Sequence, residues 1–221
     1  NPHDRPSSPL CTNLEQIDRS GLDDFLESKF FTVVRNPYVR ILSAYLDKVA
    51  SRPRDAAVWF PFARRFRLAG DAQLSFNEFL RLVVTEDPSL LDPHFAPQYV
   101  NCFQGLIGCD FVGRLEEMER VQEFLAGVGV QVANHTPHVT KATELVERYY
   151  GKEEIDLVGG FYGRDFETYG YSLDPKVLPP ISTVREPAVK RETLRLAIEA
   201  YTAANWESRR KCIEALRQQF P

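Results

Sequence analysis

Phe30-Phe31-Thr32-Val33-Val34-Arg35-Asn36-Pro37-Tyr38-Val39-Arg40-Ile41-Leu42-Ser43-Ala44-Tyr45-Leu46-Asp47-Lys48 holds a change of periodicity that decides the fold. Phe30 to Val34 is a run of aromatic and β-branched residues with no polar partner on either face, which suits a strand buried on both sides and hence a central parallel strand. Asn36-Pro37 ends it. Proline is well placed in a helix's first turn, where its missing N–H would have had no partner, and Asn36 is the expected N-cap. Tyr38, Ile41, Leu42 and Tyr45 then recur at spacings of three and four, predicting a helix to about Ala50 with one core-facing stripe.

This strand, tight turn and helix set Arg35 at the strand's C-terminal end. Ligands collect there in α/β sheets, because the loops open into a crevice and the helix's unpaired N–H groups favour anions. Arg35 adds a planar, permanently charged fork suited to phosphate. Ser43 lies six residues beyond Pro37, about 9 Å along the axis at ~1.5 Å per residue, so one phosphate can meet both side chains.

Working outward, the polar, proline-bearing first 27 residues read as a loop leading to a short helix near Gly21 to Glu27. Arg52 to Gly70 reads as irregular, Leu74 to Val84 as a helix and Asp87 to Pro97 as a loop. Leu106 to Gly113 is apolar and glycine-punctuated, a second strand, and Leu115 to Gly127 resumes helical spacing. Asn134 to Lys141 is a further loop, Ala142 to Tyr150 a helix, and Glu153 to Tyr162 a helix ending at a Gly163-Arg164-Asp165 turn. Strands alternating with helices predict an α/β layer fold. Residues 1–175 read as one domain, and 176–221 as a helical extension packed on it, with two helical patterns between Val189 and Phe220 and Asn205 as a cap between them.

Composition bounds the function. At 221 residues, 43% of them hydrophobic, the chain can bury one substantial core. A net charge of −4 argues against a general nucleic-acid binder, yet Arg35 to Arg67 carries eight basic residues to two acidic ones, which points to a confined anion site. No apolar run reaches membrane-spanning length and no secretion signal opens the chain. Cys11, Cys102, Cys109 and Cys212 fit neither a zinc site nor a disulfide framework; Cys102 and Cys109 read as buried free thiols, with pairing in an oxidising lumen as the alternative. Neither the histidines nor the cysteines have metal-ligand spacing.

Arg35, Asn36, Pro37, then Arg40, Ser43, Ala44, Tyr45 and Lys48 resemble the 3'-phosphate-binding element of sulfotransferases. Two further stretches are similar to family 2 carbohydrate sulfotransferases in order and spacing. One runs from Asp92-Pro93-His94-Phe95-Ala96-Pro97-Gln98 through Cys102 to Asp110-Phe111-Val112-Gly113-Arg114-Leu115-Glu116; the other is Tyr162-Gly163-Arg164-Asp165-Phe166-Glu167-Thr168-Tyr169-Gly170-Tyr171. The resemblance covers about Ser8 to Ser172 and leaves out the tail beyond Pro175. It implies a P-loop-like central parallel sheet flanked by helices. It also implies transfer of a sulfuryl group from 3'-phosphoadenosine 5'-phosphosulfate (PAPS) to a hydroxyl of a carbohydrate or similar acceptor, leaving 3'-phosphoadenosine 5'-phosphate (PAP), without a metal. In that scheme Arg35 and Ser43 hold the donor's 3'-phosphate, and basic residues of the loop containing His138 and Lys141 close over the donor.

The chain departs from the family pattern in one respect. The P-loop-like turn that holds the 5'-phosphosulfate is not found before Phe30: Ser7-Ser8-Pro9-Leu10-Cys11 is too near the strand and has no preceding lysine. The expectation is that this loop lies upstream of Asn1, or that the chain holds half of the donor. The alternative function is a non-catalytic module binding nucleotide or glycan.

Sulfuryl transfer, like phosphoryl transfer, needs an in-line acceptor oxygen, cationic groups and a base for the hydroxyl proton. His3 lies in the ragged start and His135 in a polar loop, leaving His94 and His138, of which His94 is the candidate base. Glu116 is expected to pair with a neighbouring arginine, Asp165 to order its own turn, and Tyr162 and Tyr169 to be core rather than adenine-stacking residues. A nucleotide kinase would need a Walker loop, which is absent. Sparse cysteine and no visible anchor lean towards a bacterial cytoplasmic protein, with a Golgi enzyme lacking its anchor as the alternative. The tail's apolar positions pack on the core or on a second subunit, so a homo-oligomer is possible.

Overall fold

The computed structural model describes residues 21–51, 55–102, 108–130, 141–182, 184 and 190–202. In chain order these form α1 (Gly21–Glu27), β1 (Phe31–Val34), α2 (Pro37–Ala44), α3 (Ala56–Arg65), α4 (Phe76–Val83), α5 (Gln98–Asn101), β2 (Phe111–Arg114), α6 (Met118–Gly127), α7 (Ala142–Tyr149), α8 (Lys152–Phe161), α9 (Gly163–Tyr169) and α10 (Arg191–Thr202). The architecture is mixed α/β: a two-stranded parallel sheet among the described residues, flanked by helices. The chain divides into two compact units, one formed by 31–104 with 111–186 and the other by 1–30, 105–110 and 187–221.

The larger unit is built on the strand-turn-helix. Phe31 pairs with Phe111 and Val34 with Arg114 in parallel register. β1 is not buried on both faces as its composition suggests, because Phe31 and Val33 are 45% and 40% exposed whereas Val34 is 1% exposed. The residues alternate along the pleat, and among the described residues only Phe124 of α6 stacks near the open face, its ring 5.7 Å from that of Phe31. β2 starts later than its apolar run predicts: Gly108 takes a left-handed turn at φ 78, and pairing begins at Phe111.

α2 runs as predicted from Pro37, capped by Asn36, and then loosens into a π-helical turn from Tyr45 to Ala50. α3 is a helix where the arginine-rich segment reads as irregular. Asp55 caps it by accepting the Ala57 N–H at 3.0 Å, and Val58, Trp59, Phe62 and Ala63 bury one face despite Pro61 inside it. α4 opens with a reciprocal capping box between Ser75 and Glu78. Aromatic rings from the π-helical turn, α3, α4 and the loop before α5 meet at Phe79, which lies 5.5 Å from Tyr45, 5.6 Å from Phe62 and 5.1 Å from Phe95. α9 replaces the predicted Gly163-Arg164-Asp165 turn with nearly two helical turns, ended by Gly170 at φ 70.

In the smaller unit, Leu22 and Leu26 of α1 pack on Leu194 and Ile198 of α10, with Phe25 and Phe30 alongside. Arg195 pairs with Asp23 at 2.6 Å, and Arg191 Nε donates to the Leu26 carbonyl at 2.6 Å. The second helical pattern of the tail and its Asn205 cap lie outside the described residues.

At Gly113 β2 lies close against α6: a Cβ there would lie 2.5 Å from a Val121 methyl and 3.0 Å from the Phe111 ring. Overpacking of this kind costs about 1–3 kcal/mol. Gly113→Ala is therefore expected to lower Tm by at least ~2 °C in a thermal melt. An unchanged Tm would mean that β2 and α6 are not packed this tightly.

Candidate functional site

The turn between β1 and α2 is held by side chains from distant parts of the chain. Asn36 is fully buried. Its Oδ1 accepts the N–H groups of Tyr38 and Val39 at 3.0 and 3.5 Å, and its Nδ2 donates to the Leu178 carbonyl at 2.9 Å. The Asn36 N–H donates to Glu116 Oε1 at 2.9 Å, while Glu116 Oε2 accepts the Tyr171 hydroxyl at 2.6 Å. Glu116 thus bonds to the turn and to a tyrosine, not to an arginine side chain as expected.

Arg35 projects from this fixed turn. Its guanidinium is half-buried, and desolvation lowers its pKa from the ordinary value while the Glu116 carboxylate and Tyr171 act in the opposite direction. Among the described residues no hydrogen bond or ion pair is made by that guanidinium. A guanidinium does not lose its proton under protein conditions, so a half-buried one without an ion pair has the chemistry to take an anion. Ser43 is half-buried on α2, which follows this turn, and helical side chains tilt towards the N-terminus, the Arg35 end.

Arg40, one turn before Ser43, ties α2 to the loop carrying the candidate base. Its two terminal nitrogens donate to the carbonyls of Ala96 at 2.8 Å and Pro93 at 2.6 Å. Asn101 also donates to the Pro93 carbonyl at 2.7 Å, and the Tyr162 hydroxyl to that of Phe95 at 2.6 Å. His94 is exposed on this pinned loop, its Nδ1 2.6 Å from Asp92 Oδ1, which also accepts the His94 backbone N–H at 2.9 Å. With Nδ1–H donating to Asp92, Nε2 carries the lone pair that a general base needs. Burial pushes the Asp92 carboxyl up, but the two hydrogen bonds from His94 outweigh it and hold the pKa below 3.8. Asp92 opens the family-like stretch, and an aspartate two residues before a histidine in a proline-framed loop is the sequence signal for this pairing.

Beside this loop a cavity of about 80 Å³ is lined by Val58, Phe62 and Arg65 of α3, then Leu90, Leu91 and Asp92. It joins the arginine-rich segment to the partner of His94. Lys141, the fourth predicted site residue, is exposed at the start of α7 in a left-handed conformation at φ 51. α7 packs on the π-helical turn after α2 through Tyr45 and Tyr149, 6.2 Å apart. The remainder of that predicted basic loop, with His135 and His138, lies outside the described residues, as does His3.

Tyr162 and Tyr169, 1% and 0% exposed, are core residues. Asp165 orders a distant segment rather than its own turn: its oxygens accept the N–H groups of Gln98 and Tyr99 at 2.7 and 2.9 Å. Burial raises its pKa, partly opposed by those two bonds. Cys102 and Cys109 are free thiols, Cys109 buried and Cys102 partly so.

The family model described as the sulfotransferase family matches residues 10–172. The chain belongs to the sulfotransferase family. It is similar to carbohydrate sulfotransferase 14 of human, 38% identical over 96 residues that make up 40% of this chain and 25% of that protein. The zebrafish carbohydrate sulfotransferase 14 is 35% identical over 164 residues, 65% of this chain and 44% of the relative. Carbohydrate sulfotransferase 10 of Xenopus laevis is 26% identical over 195 residues, 76% and 54% of the two chains. The chain thus spans from a quarter to about half of these relatives' lengths. No solved structure matches.

These relatives overturn the expectation of a bacterial cytoplasmic protein, since all are vertebrate carbohydrate sulfotransferases. Sparse cysteine and the lack of a visible anchor do not distinguish compartments. Among the described residues no helix is long and apolar enough to cross a membrane.

The Asp92–His94 pair has a pH signature. A carboxyl whose folded-state pKa is depressed contributes stability above its unfolded value, and that contribution is lost as pH falls through the folded value. The stability difference between the wild type and Asp92→Asn, followed by denaturant unfolding, is expected to persist above pH 3.8 and to shrink below it. A difference independent of pH would exclude an ionised Asp92 from the pair.

Proposed function

We propose that this chain holds the 3'-phosphate of PAPS and takes part in transfer of its sulfuryl group to a carbohydrate hydroxyl. The observation that carries this reading is the half-buried Arg35 guanidinium, without an anion among the described residues, on a backbone turn fixed by Gln98, Glu116 and Asn36. Arg35 grips the phosphate, Ser43 donates a hydrogen bond to it from α2, and Lys141 adds positive charge at the start of α7. The reading takes residues 1–175 as the transferase domain with a P-loop-like sheet, and 176–221 as its helical extension.

The acceptor lies against α3 and the cavity beside Asp92. Its exposed arginines, Arg64, Arg65 and Arg67, suit an anionic sugar chain. His94 Nε2 takes the acceptor hydroxyl's proton as that oxygen attacks sulfur in line. The bond from sulfur to the bridging phosphate oxygen breaks, and PAP leaves with the electron pair. Asp92 holds the imidazole and stabilises its protonated form.

Calorimetric titration of PAP into the folded chain tests the donor site. Hydrogen bonds to charged groups are worth ~1.5–3 kcal/mol, so Arg35→Ala is expected to weaken binding by at least tenfold and Ser43→Ala by less. In a transfer assay, His94→Asn is expected to lower kcat by about 10²–10⁴-fold. A folded chain that does not bind PAP would replace this reading with that of a non-catalytic, sulfotransferase-like glycan-binding module.

A further inference from the structure

At the end of β1 the ladder to β2 stops with the Val34–Arg114 pair. Gln98 then does for Arg35 what a neighbouring strand would do. Its Oε1 accepts the Arg35 N–H at 2.8 Å, and its Nε2 donates to the Arg35 carbonyl at 2.8 Å. A primary amide has the donor and acceptor of a peptide group side by side in one plane, so it can grip both main-chain groups of a single residue at once. Gln98 is 5% exposed, and its own main chain is anchored by the bonds that Asp165 accepts from Gln98 and Tyr99. The clamp is therefore fixed to α9 rather than free to follow the turn.

A purely structural purpose explains this poorly. Two neutral hydrogen bonds contribute only ~1 kcal/mol each to stability, and both of these fall on the main chain of one residue. Direction is another matter: a misplacement of ~1 Å can cost a reaction about 100-fold. We propose that Gln98 is a positioning residue for Arg35, its amide setting the line along which the guanidinium meets the bound anion, with Asp165 holding Gln98 in register. This rests on the reading of Arg35 as the group that holds the 3'-phosphate.

The test is a double-mutant cycle between Gln98→Met and Arg35→Ala, read by calorimetry with PAP and with adenosine 5'-phosphate, which lacks the 3'-phosphate. Gln98→Met is expected to weaken PAP about tenfold, to leave adenosine 5'-phosphate unchanged, and to add nothing in the Arg35→Ala background. If Arg35→Ala weakens PAP but Gln98→Met does not, or if the two losses simply add, or if both nucleotides weaken equally, the positioning role is wrong while the donor site stands. If Arg35→Ala leaves PAP binding unchanged, the donor-site reading fails and the proposal falls with it. Should Gln98→Met not fold by circular dichroism, Gln98→Asn, which retains the amide but withdraws it by one methylene, carries the same comparison.

Discussion

The larger unit turns on one buried side chain, that of Asn36. Taken out of water, its amide would cost several kcal/mol if left unpaired, and every polar group it has is used. Two N–H groups of α2 meet its Oδ1, the Leu178 carbonyl meets its Nδ2, Glu116 takes its backbone N–H, and its carbonyl accepts the Arg40 N–H at 2.9 Å. These bonds set where the strand ends, which way the helix leaves, and how Arg35 is presented. Few other residues could do this, since an N-cap must be short and must accept locally while this one must also donate.

The same interaction draws in a segment that the family match does not reach. Beyond residue 172 the chain returns along the motif: the Tyr38 hydroxyl donates to the Leu173 carbonyl at 2.7 Å, Asn36 to that of Leu178, and Arg114 to that of Ser182. Gly170, in a left-handed conformation, accepts the Ile181 N–H at 2.8 Å and brings this strap round. Asn36 and Arg114, both buried at the sheet's C-terminal end, thus each donate to one carbonyl outside the recognised region, Arg114 also to the Tyr169 carbonyl within it.

Electrostatics separates the two candidate chemical groups. Arg35 is half-withdrawn from water, and the carboxylate that acts on its charge, Glu116, is already committed to a backbone N–H and a tyrosine hydroxyl. Among the described residues its guanidinium makes no hydrogen bond or ion pair. His94 is the reverse case, exposed but already paired, with Asp92 fixing the tautomer and the loop fixing the ring's location. Arg40 mechanically links the two by reaching from α2 to the carbonyls of Pro93 and Ala96.

Local physics made much of this chain legible before any coordinates. The β-branched run, the Asn36-Pro37 start, the stripe of Tyr38, Ile41, Leu42 and Tyr45, and the Arg35 to Ser43 spacing depend on neighbours in sequence, and the observed β1 and α2 follow them. α3 was hidden because proline and arginine content masked a 3.6-residue apolar period that only burial against Phe79 and Phe95 rewards. The exposed face of β1 was equally hidden, since composition reports an affinity for burial and not whether a neighbour is there. The sequence by itself determined the strand-turn-helix, its cap and the place of Arg35 at the strand's end, all of them short-range. Only the tertiary structure decided the partners that hold the turn's main chain, Gln98 on Arg35 and Glu116 on Asn36, because hydrogen bonds between residues 63 and 80 positions apart have no local signature.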